Sequence, residues 1–414
     1  MGPEDRLAPM DALPARPARG RPPPDPGLLL PGRHGMPAAL LPDMRPLLTL
    51  CLFAASLAAA VAAPKRKVII DQDAFGPGGP NLQPILMVLQ SPDFEVLGIT
   101  VESGDGWQQE NVAHTLRMLE LIGRPEIPVI PGTTYPLLNT EEFTRRWEKI
   151  YGKLAYKGAW MDSWPEYNTV NRTRYHGADV VPPLEEGDLT PASPKPLAET
   201  AANFLVRKIR EFPGEVTILA MGPFTNLALA ARLDDHFAAL AQELVFMGGA
   251  FNPDSSKIDE FSLQFIHSPR VEFNSRWDPE AAHMMLHAGW KKITAVPLDA
   301  TVPTKLTPEL VARVRASAGA HPDHAAVANY FVKYAGTGFP LWDECAAAIL
   351  LDPTLATATT KLAMDIDTDH GPTYGATLSW PAGGGPGLGE PEVTVVRALD
   401  VPRLEALLED SIAR

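Results

Sequence analysis

From Lys67 onward, short apolar runs rich in β-branched residues alternate with stretches of helical periodicity. Strand-like runs occupy 68–70, 96–101, 127–131, 216–221, 244–247, 293–298 and 393–396, and helical stretches occupy 82–89, 112–122, 197–209, 227–231, 279–286 and 401–412. Strands that alternate with helices form βαβ units, in which the strands are parallel. We therefore predict an α/β fold for residues 64–414: a single Rossmann-like domain with an open, mainly parallel sheet flanked by helices.

Two segments interrupt the alternation. The first, 139–195, is too long for an ordinary connection and is rich in aromatic residues. Its aromatic residues include Trp147, Tyr151, Tyr156, Trp160, Trp164, Tyr167 and Tyr175. We interpret it as an insertion that forms a lid or a partner surface, or that packs onto its own domain. The second, the Gly/Pro-rich stretch 381–391, is predicted to link two antiparallel strands.

The N-terminal 63 residues have a different composition from the rest of the chain. Residues 1–43 contain eleven prolines and no amphipathic periodicity, so we predict a segment that is disordered or untranslated. Residues 44–63 combine Arg45, an apolar stretch at 47–58 and small residues before Pro64, which is the pattern of a signal peptide. A membrane anchor needs roughly 20 apolar residues, so we expect export to the periplasm or the medium, with no membrane attachment after cleavage.

Charge and cysteine content narrow the class of protein further. The chain has a formal net charge of −14, which argues against a nucleic acid or an anionic membrane as partner. Beyond residue 63 the sequence contains one cysteine, Cys345, so an intramolecular disulfide is impossible there. We expect Cys345 to be a small buried hydrophobic residue and not a nucleophile.

The stretch "VIIDQDAFG" places Asp71 and Asp73 at the end of the first predicted strand. In parallel sheets the carboxyl ends of the strands carry the functional site, because the loops there converge. By itself the pair has three interpretations: the catalytic carboxylates of a haloacid-dehalogenase-like phosphatase, a turn cap, or ligands of a metal. A helix start at "PFTN" offers a similar choice for Asn226, for which we favour helix capping over ligand contact.

Four downstream motifs decide between these interpretations. They are "VTILAMGPFTNLALAARL" (216–233), "ELVFMGGAF" (243–251), "VEFNSRWDPEAA" (271–282) and "PLDATVP" (297–303). Their order and spacing resemble those of the inosine-uridine-preferring nucleoside hydrolase family, also called nucleoside N-ribohydrolases. The resemblance runs from about Lys67 to the C-terminus, with 139–195 as its main interruption. It implies a hydrolase that cleaves the N-glycosidic bond of a nucleoside or related ribosyl compound.

The resemblance also implies one Ca²⁺ ion at the bottom of the pocket, which binds the ribose and activates a water molecule. Asp73 matches the carboxylate that contacts the metal and acts as general base. Asp343, in "PLWDECAAA", matches a late metal ligand, and Met221 falls where a backbone carbonyl ligand lies. Asp71 matches the buried neighbour that supports the loop.

Substrate contacts follow from the same resemblance. Glu272 and Asn274 match residues that hydrogen-bond the sugar hydroxyls, and Asn252 matches a third, less secure contact. Trp342 stands where the family often has a histidine thought to protonate the leaving base. Trp offers only an N–H donor and cannot serve as a general acid, so we expect Trp342 to stack on the leaving group.

The opening motif departs from the family pattern D-x-D-P-G-x-D-D. Its loop is about three residues longer, and Pro80-Asn81 falls where two aspartates are usual. Asn81 can offer Ca²⁺ one neutral oxygen, which predicts weaker metal binding than a carboxylate would give. Asp105, or Glu102, is a candidate to restore the lost charge, and Asp105 is also predicted to orient the sugar.

The sequence therefore predicts an exported, calcium-dependent N-glycosidase that acts on a small molecule. The missing aspartate pair and the missing histidine leave a second hypothesis open, a non-catalytic protein of the same fold that binds ribose or nucleosides. A phosphatase built around Asp71 and Asp73 is the third. The family resemblance also makes a homo-oligomer a possible assembly, although no motif tests it.

Overall fold

A nine-stranded sheet forms the centre of the computed structural model, which describes residues 64–163, 175–257, 270–318 and 325–413. The strands are β1 Arg66–Gln72, β2 Phe94–Val101, β3 Val129–Pro131, β4 Val216–Ala220, β5 Glu243–Met247, β6 Ile293–Val296, β7 Ala356–Ile366, β8 Thr377–Pro381 and β9 Glu392–Leu399. All belong to one compact unit, 63–414. The predictions for 1–43 and 44–63 lie outside the described residues.

The strand order is β3-β2-β1-β4-β5-β6-β9-β7-β8. Neighbours from β3 to β9 pair in parallel, whereas β7 pairs antiparallel with both β9 and β8. The prediction of a mainly parallel sheet is confirmed. The prediction for 381–391 is wrong in one respect: β8 and β9 do not pair with each other, because β7 lies between them and both run opposite to it.

Helices connect the strands. They are α1 Gln83–Gln90, α2 Gln108–Leu121, α3 Glu141–Tyr151, α4 Ala201–Glu211, α5 Thr225–Leu233, α6 Phe237–Leu240, α7 Phe273–Trp277, α8 Pro279–Leu286, α9 Leu298–Thr301, α10 Pro308–Ala318, α11 Ala325–Tyr334, α12 Trp342–Leu351 and α13 Val401–Ala413. Short 3₁₀ turns lie at Gly158–Trp160, Ser255–Lys257 and Pro353–Leu355. Among the residues described, none of the helices is both long and apolar enough to cross a bilayer.

The sheet separates two hydrophobic cores. Successive side chains of a strand point to opposite faces, so Val68 and Ile70 pack with α1, α2 and α12, while Ile69 packs with α4, α5 and α8 on the other face. A strand that is buried on both faces reads as a continuous apolar run, which explains "VII" at the start of the domain. The three layers hold the carboxyl ends of the parallel strands in fixed positions.

Local sequence signals account for where several helices begin. Thr140 accepts a hydrogen bond from the Phe143 amide and caps α3, and Asp278 accepts one from the Ala281 amide and caps α8. Pro84 and Pro279 lie in the first turns of α1 and α8, where a missing N–H costs nothing.

The described parts of the aromatic insertion pack onto the domain. Trp160 stacks on Trp277 with ring centroids 3.9 Å apart, and Trp107 contacts the same ring edge-on at 6.3 Å. The Ala159 amide donates a 2.9 Å hydrogen bond to the Gly104 carbonyl, in the loop after β2. Of the alternatives raised by the sequence, the structure shows packing onto the insertion's own domain, directly beside the carboxyl ends of the strands.

Candidate active site

Asp71 is the next-to-last residue of strand β1 and is fully buried. Its Oδ1 atom accepts hydrogen bonds from the Thr100 hydroxyl and, at 2.9 Å, from the side-chain amide of Asn226. Its Oδ2 atom has no hydrogen-bond partner among the described residues. Burial raises the pKa of Asp71 to about 6, and the two donors oppose that shift. These contacts join the end of β1 to β2 and α5, and the supporting role of Asp71 stays a prediction.

Asp73, two residues further on, is only 1% exposed. Its Oδ1 atom accepts a 3.1 Å hydrogen bond from the Asn81 side chain, and its Oδ2 atom accepts a 2.7 Å bond from the Asp105 amide. A Cβ atom at Gly104 would lie 2.1 Å from Oδ2, so this approach requires glycine. Burial, and next the charges of Asp105 and Asp343, raise the pKa of Asp73 well above its usual range.

Gln72 connects the first motif to the far end of the chain. Its Nε2 atom donates to Oδ2 of Asp343 at 2.8 Å and to the Asn81 carbonyl at 2.9 Å. Its Oε1 atom accepts a 2.9 Å bond from the Asp73 amide. Sequence reasoning missed this residue, although its place between two aspartates at a strand end was a usable signal.

Asn81 bridges two carboxylates. Its Nδ2 atom lies 3.1 Å from Oδ1 of Asp73 and 3.1 Å from Oδ2 of Asp105. Asp105 is half-buried, and its Oδ1 atom accepts a 2.7 Å hydrogen bond from the Tyr156 hydroxyl. Burial raises the pKa of Asp105 to about 6, whereas the bonds from Tyr156 and Asn81 lower it. The structure thus brings together three of the predicted site residues and adds Tyr156 from the insertion.

The predicted sugar contacts lie on the neighbouring side of the same edge. Glu272 caps α7 by accepting bonds from the amides of Asn274 at 2.7 Å and Ser275 at 3.2 Å. The Asn274 side chain donates to the carbonyls of Met221 and Met247, each at 3.3 Å. Burial raises the pKa of Glu272 to about 7 against the opposing effect of its amide donors. The Met221 carbonyl therefore faces a predicted sugar contact.

Glu102 performs the capping that we predicted for Asn226. Its carboxylate accepts 2.8 Å bonds from the amides of Phe224 and Asn226, at the start of α5. Phe224 has a φ of 70°, a left-handed conformation that is costly for a bulky residue. The Asn226 side chain instead joins Asp71 to the Thr133 amide, so the capping prediction is wrong. It failed because α5 begins at Thr225, two residues earlier than a cap at residue 226 would require.

Trp342 and Asn252 lie at different depths. Trp342 begins α12, one residue before Asp343, and is half-buried; its Nε1 atom is buried without a hydrogen-bond partner among the described residues. Asn252 is exposed in the loop after β5, where its amide donates to Asp299 at 2.9 Å. No described hydrogen bond joins the Asn252 side chain to the carboxylates, and its sugar contact stays a prediction. Cys345 is fully buried, as expected.

An aromatic cleft opens beside Asp105. Its lining includes Trp147, Tyr151, Lys153, Tyr156, Phe273 and Arg276. The Tyr156 ring meets Phe273 edge-on at 4.8 Å, so the residue that binds Asp105 also forms one wall of the cleft. Tyr156 therefore belongs both to the cleft and to the carboxylate site. The aromatic rings of the cleft offer flat apolar surfaces for a planar group.

The site is strongly acidic. Burial is the largest cause of a raised pKa at Asp71, Asp73, Asp105, Glu272 and Asp343, and the charged groups that raise it further at Asp73 and Asp343 are other carboxylates. Buried carboxylates that repel one another are stabilised by protons or by a cation. The available donors, carboxylate, amide and carbonyl oxygens, are those that a hard divalent cation prefers.

These features define an α/β protein with a buried, oxygen-rich site at the carboxyl ends of a parallel sheet. A sequence profile described as inosine-uridine preferring nucleoside hydrolase matches residues 68–406. The chain belongs to this family, as the motifs predicted.

Two relatives and one solved structure illustrate the likeness. Uridine nucleosidase 1 of Arabidopsis thaliana is 34% identical over 58% of this chain, a match that spans 59% of that protein's length. The pyrimidine-specific ribonucleoside hydrolase RihA of Shewanella woodyi is 29% identical over 76% of this chain and 88% of its own. The structure of a plant nucleoside hydrolase, PpNRh1, is 27% identical, with a TM-score of 0.60 over 84% of this chain and 99% of that one.

Proposed function

We propose that this protein hydrolyses the N-glycosidic bond of a nucleoside or a related ribosyl compound. The observation that carries the proposal is the buried carboxylate of Asp73, held next to Asp105 and Asp343 at the carboxyl end of β1. Family membership supports it, since the named relatives include a uridine nucleosidase and a pyrimidine-specific ribonucleoside hydrolase. The phosphatase hypothesis gains no support from these comparisons.

The residues present fit a Ca²⁺ ion. Asp73, Asp343 and the Met221 carbonyl would hold it with oxygen, the donor type that Ca²⁺ takes. Asn81 would join them once its side-chain amide turns over, because its Nδ2 atom faces Asp73 and Asp105 in this structure. Burial, and next repulsion by neighbouring carboxylates, raises the pKa of Asp73 and of Asp343, and a divalent cation would offset both effects. When bound, such an ion orients sugar hydroxyls and acidifies a water molecule.

Asp73 is the general base in this proposal. Its Oδ2 atom is fixed by the backbone amide of Asp105, whereas the one donor to its Oδ1 atom among the described residues is the rotatable side chain of Asn81. Oδ1 is therefore the atom that can exchange its donor for a water molecule and accept a proton from it. The water oxygen then attacks the anomeric carbon of the sugar while the bond to the nucleobase breaks, through an oxocarbenium-like transition state.

The sugar is oriented by groups on two sides of Asp73. Asn274 and Glu272 lie on one side, around the Met221 carbonyl, and Asp105 lies on the other. Each offers a hydrogen-bonding oxygen or nitrogen that a ribose hydroxyl can use. The Tyr156 hydroxyl holds Asp105 in place and so links the aromatic insertion to sugar binding.

The leaving base would contact aromatic surfaces. Trp342 has a buried N–H without a partner among the described residues, which can donate to a base carbonyl, and Tyr156 and Phe273 form one wall of the adjacent cleft. None of these three side chains is a strong acid at neutral pH. We therefore propose that the base is stabilised by stacking and hydrogen bonding as it leaves.

The proposals on export and on oligomeric assembly rest on the sequence alone. We propose that residues 44–63 direct the chain out of the cytoplasm, on the strength of their charged start, apolar stretch and small residues. A homo-oligomer is a separate proposal, which the family resemblance suggests and for which no interface is assigned. N-terminal sequencing of the exported protein would show cleavage after about residue 63; retention of residues 44–63 would overturn the export proposal.

The test of function is a ribose-release assay on the purified chain with a panel of purine and pyrimidine nucleosides, with Ca²⁺ and with a chelator. We expect calcium-dependent release from at least one nucleoside. Calcium-dependent nucleoside binding without release from any substrate would support the non-catalytic hypothesis. Phosphate release from a generic phosphoester, lost in Asp71→Asn, would revive the phosphatase hypothesis.

A further inference from the structure

A second group of metal-ligating side chains lies on α8 and β7. His283 and His287 are four residues apart on α8 and its C-terminal cap, so they face the same direction one turn apart. Between them lies Asp365, near the end of β7. The Nδ1 atom of His283 is 2.7 Å from Oδ1 of Asp365, and the Nε2 atom of His287 is 3.2 Å from Oδ2.

The spacing of these atoms approaches that of ligands around one ion. One ligand atom from each of His283, His287 and Asp365 can be chosen so that the three lie within 4.8 Å of one another. In a tetrahedral site with bonds of about 2.0–2.1 Å, neighbouring ligand atoms are about 3.3 Å apart. The measured separations of 2.7 and 3.2 Å need only a small opening to admit an ion.

One ring nitrogen is incompletely satisfied. Within the described residues, the buried Nε2 atom of His287 makes no aligned hydrogen bond, although it lies 3.2 Å from Asp365. The other nitrogen of this ring faces the backbone at Gly389, where a Cβ atom would lie 3.6 Å away, so the ring is oriented with Nε2 towards Asp365. A simple ion pair would use this nitrogen as a donor; an ion at the centre of the triad would use its lone pair.

The local charges favour a cation. Asp365 is the central charge, and Glu280 also acts on His283, while Arg232 opposes them. Arg232 is exposed, so solvent and salt screen its effect. The side chains of His283, His287 and Asp365 are 40%, 19% and 14% exposed, which leaves room for water to complete the coordination.

We propose that His283, His287 and Asp365 bind a divalent transition-metal ion of the zinc class. Two imidazoles and one carboxylate suit Zn²⁺ and its neighbours, whereas Ca²⁺ prefers oxygen ligands alone. The ion would join α8 to β7 and stabilise that part of the domain. This site shares no residue with the carboxylate cluster of Asp73, and it does not depend on the proposed hydrolase activity.

The first test uses the wild-type chain in excess Ca²⁺. Zinc is added in substoichiometric amounts, and X-ray absorption at the zinc edge counts the imidazole ligands. The proposal expects two, because the carboxylate cluster at Asp73 contains no histidine. A spectrum with oxygen ligands only, or with one imidazole, would overturn it, and this result does not depend on any variant folding.

The second test compares variants by calorimetric Zn²⁺ titration, again in excess Ca²⁺. We expect His283→Ala, His287→Ala and Asp365→Asn each to weaken binding at least tenfold and to remove the zinc-dependent rise in melting temperature. The control is His236→Ala, since Asp234, Asp235 and His236 form another acidic group that could attract the ion. Loss of binding in the control, or unchanged binding in folded variants of the triad, would contradict the proposal.

Discussion

The side-chain amide of Gln72 donates a 2.8 Å hydrogen bond to Asp343, a residue 271 positions away in the sequence. The same side chain accepts a hydrogen bond from the backbone amide of Asp73. One glutamine therefore sets the relative position of Asp73 and Asp343, the two predicted metal-binding aspartates. Position 72 requires a side-chain amide. A carboxylate there would repel Asp343, and an apolar side chain would leave both hydrogen-bond partners unsatisfied.

We expect Gln72→Leu to lower the free energy of unfolding by about 1–3 kcal/mol, because buried groups lose their partner. It should also weaken Ca²⁺ binding, since Asp343 is no longer oriented. Urea unfolding and calcium titration measure the two effects. The matched control is Gln83→Leu: Gln83, the first residue of α1, is buried and bonds the Gly78 carbonyl, so only stability should change. Equal calcium affinity in the two variants would refute the orienting role of Gln72.

Asn81→Asp should tighten Ca²⁺ binding by about tenfold or more, because an added carboxylate raises the charge of the ligand set. In the absence of metal the same change should lower the melting temperature, since it replaces an amide donor to Asp73 and Asp105 with a third negative charge. Calorimetry with and without a chelator tests both effects. Asn81→Ala serves as the control and should weaken binding. Unchanged affinity in Asn81→Asp would place residue 81 outside the metal's ligands.

Tyr156→Phe removes the 2.7 Å bond to Asp105. We expect kcat/KM for the best nucleoside to fall about tenfold, in line with about 1.5–3 kcal/mol for a hydrogen bond to a charged group. Because this bond lowers the pKa of Asp105, its loss should also move the acidic limb of the pH profile to higher pH. Tyr151→Phe, in the same cleft, is the control. An unshifted profile in Tyr156→Phe would rule out a kinetic role for Asp105 ionisation.

Glu272 is expected to make the metal-free protein less stable as the pH rises. Its pKa is about 7 in the folded state against a usual 4.5, so the folded state binds the extra proton between these values. The resulting stabilisation is complete below about pH 4.5 and is lost as the pH rises through 7. Between pH 5 and 8 the wild type should lose about 2.5 kcal/mol more than Glu272→Gln, which cannot titrate. Urea unfolding at both pH values tests this, and parallel losses would contradict it.

The sequence predicted the parallel part of the sheet because its strands are buried on both faces and read as apolar runs such as "VII" and "ILA". It did not predict β7, whose first half, "ATATT", is largely exposed and contains no apolar side chain larger than alanine. Without β7 the pairing around 381–391 could not be inferred, since the connection between β8 and β9 passes a strand that comes earlier in the chain.

In the candidate site, too, some residues could be predicted from the sequence and others could not. Asp71 and Asp73 were identifiable because the residues that follow a strand define the site edge, and motif order identified Asp343. The contacts of Gln72 and Tyr156 were not identifiable, because they join segments 271 and 51 residues apart and depend on side-chain geometry. Local patterns predict which residues reach the edge; only the packed structure shows which atoms meet there.

The central claim is that Asp73 acts as the base that activates water. Asp73→Asn keeps the size of the side chain and removes its proton-accepting carboxylate, so it tests the claim with little change in packing. With calcium at a concentration that saturates the variant, we expect ribose release to fall by about 10²–10⁴-fold while the fold and nucleoside binding persist. Release at the wild-type rate would contradict the proposed mechanism.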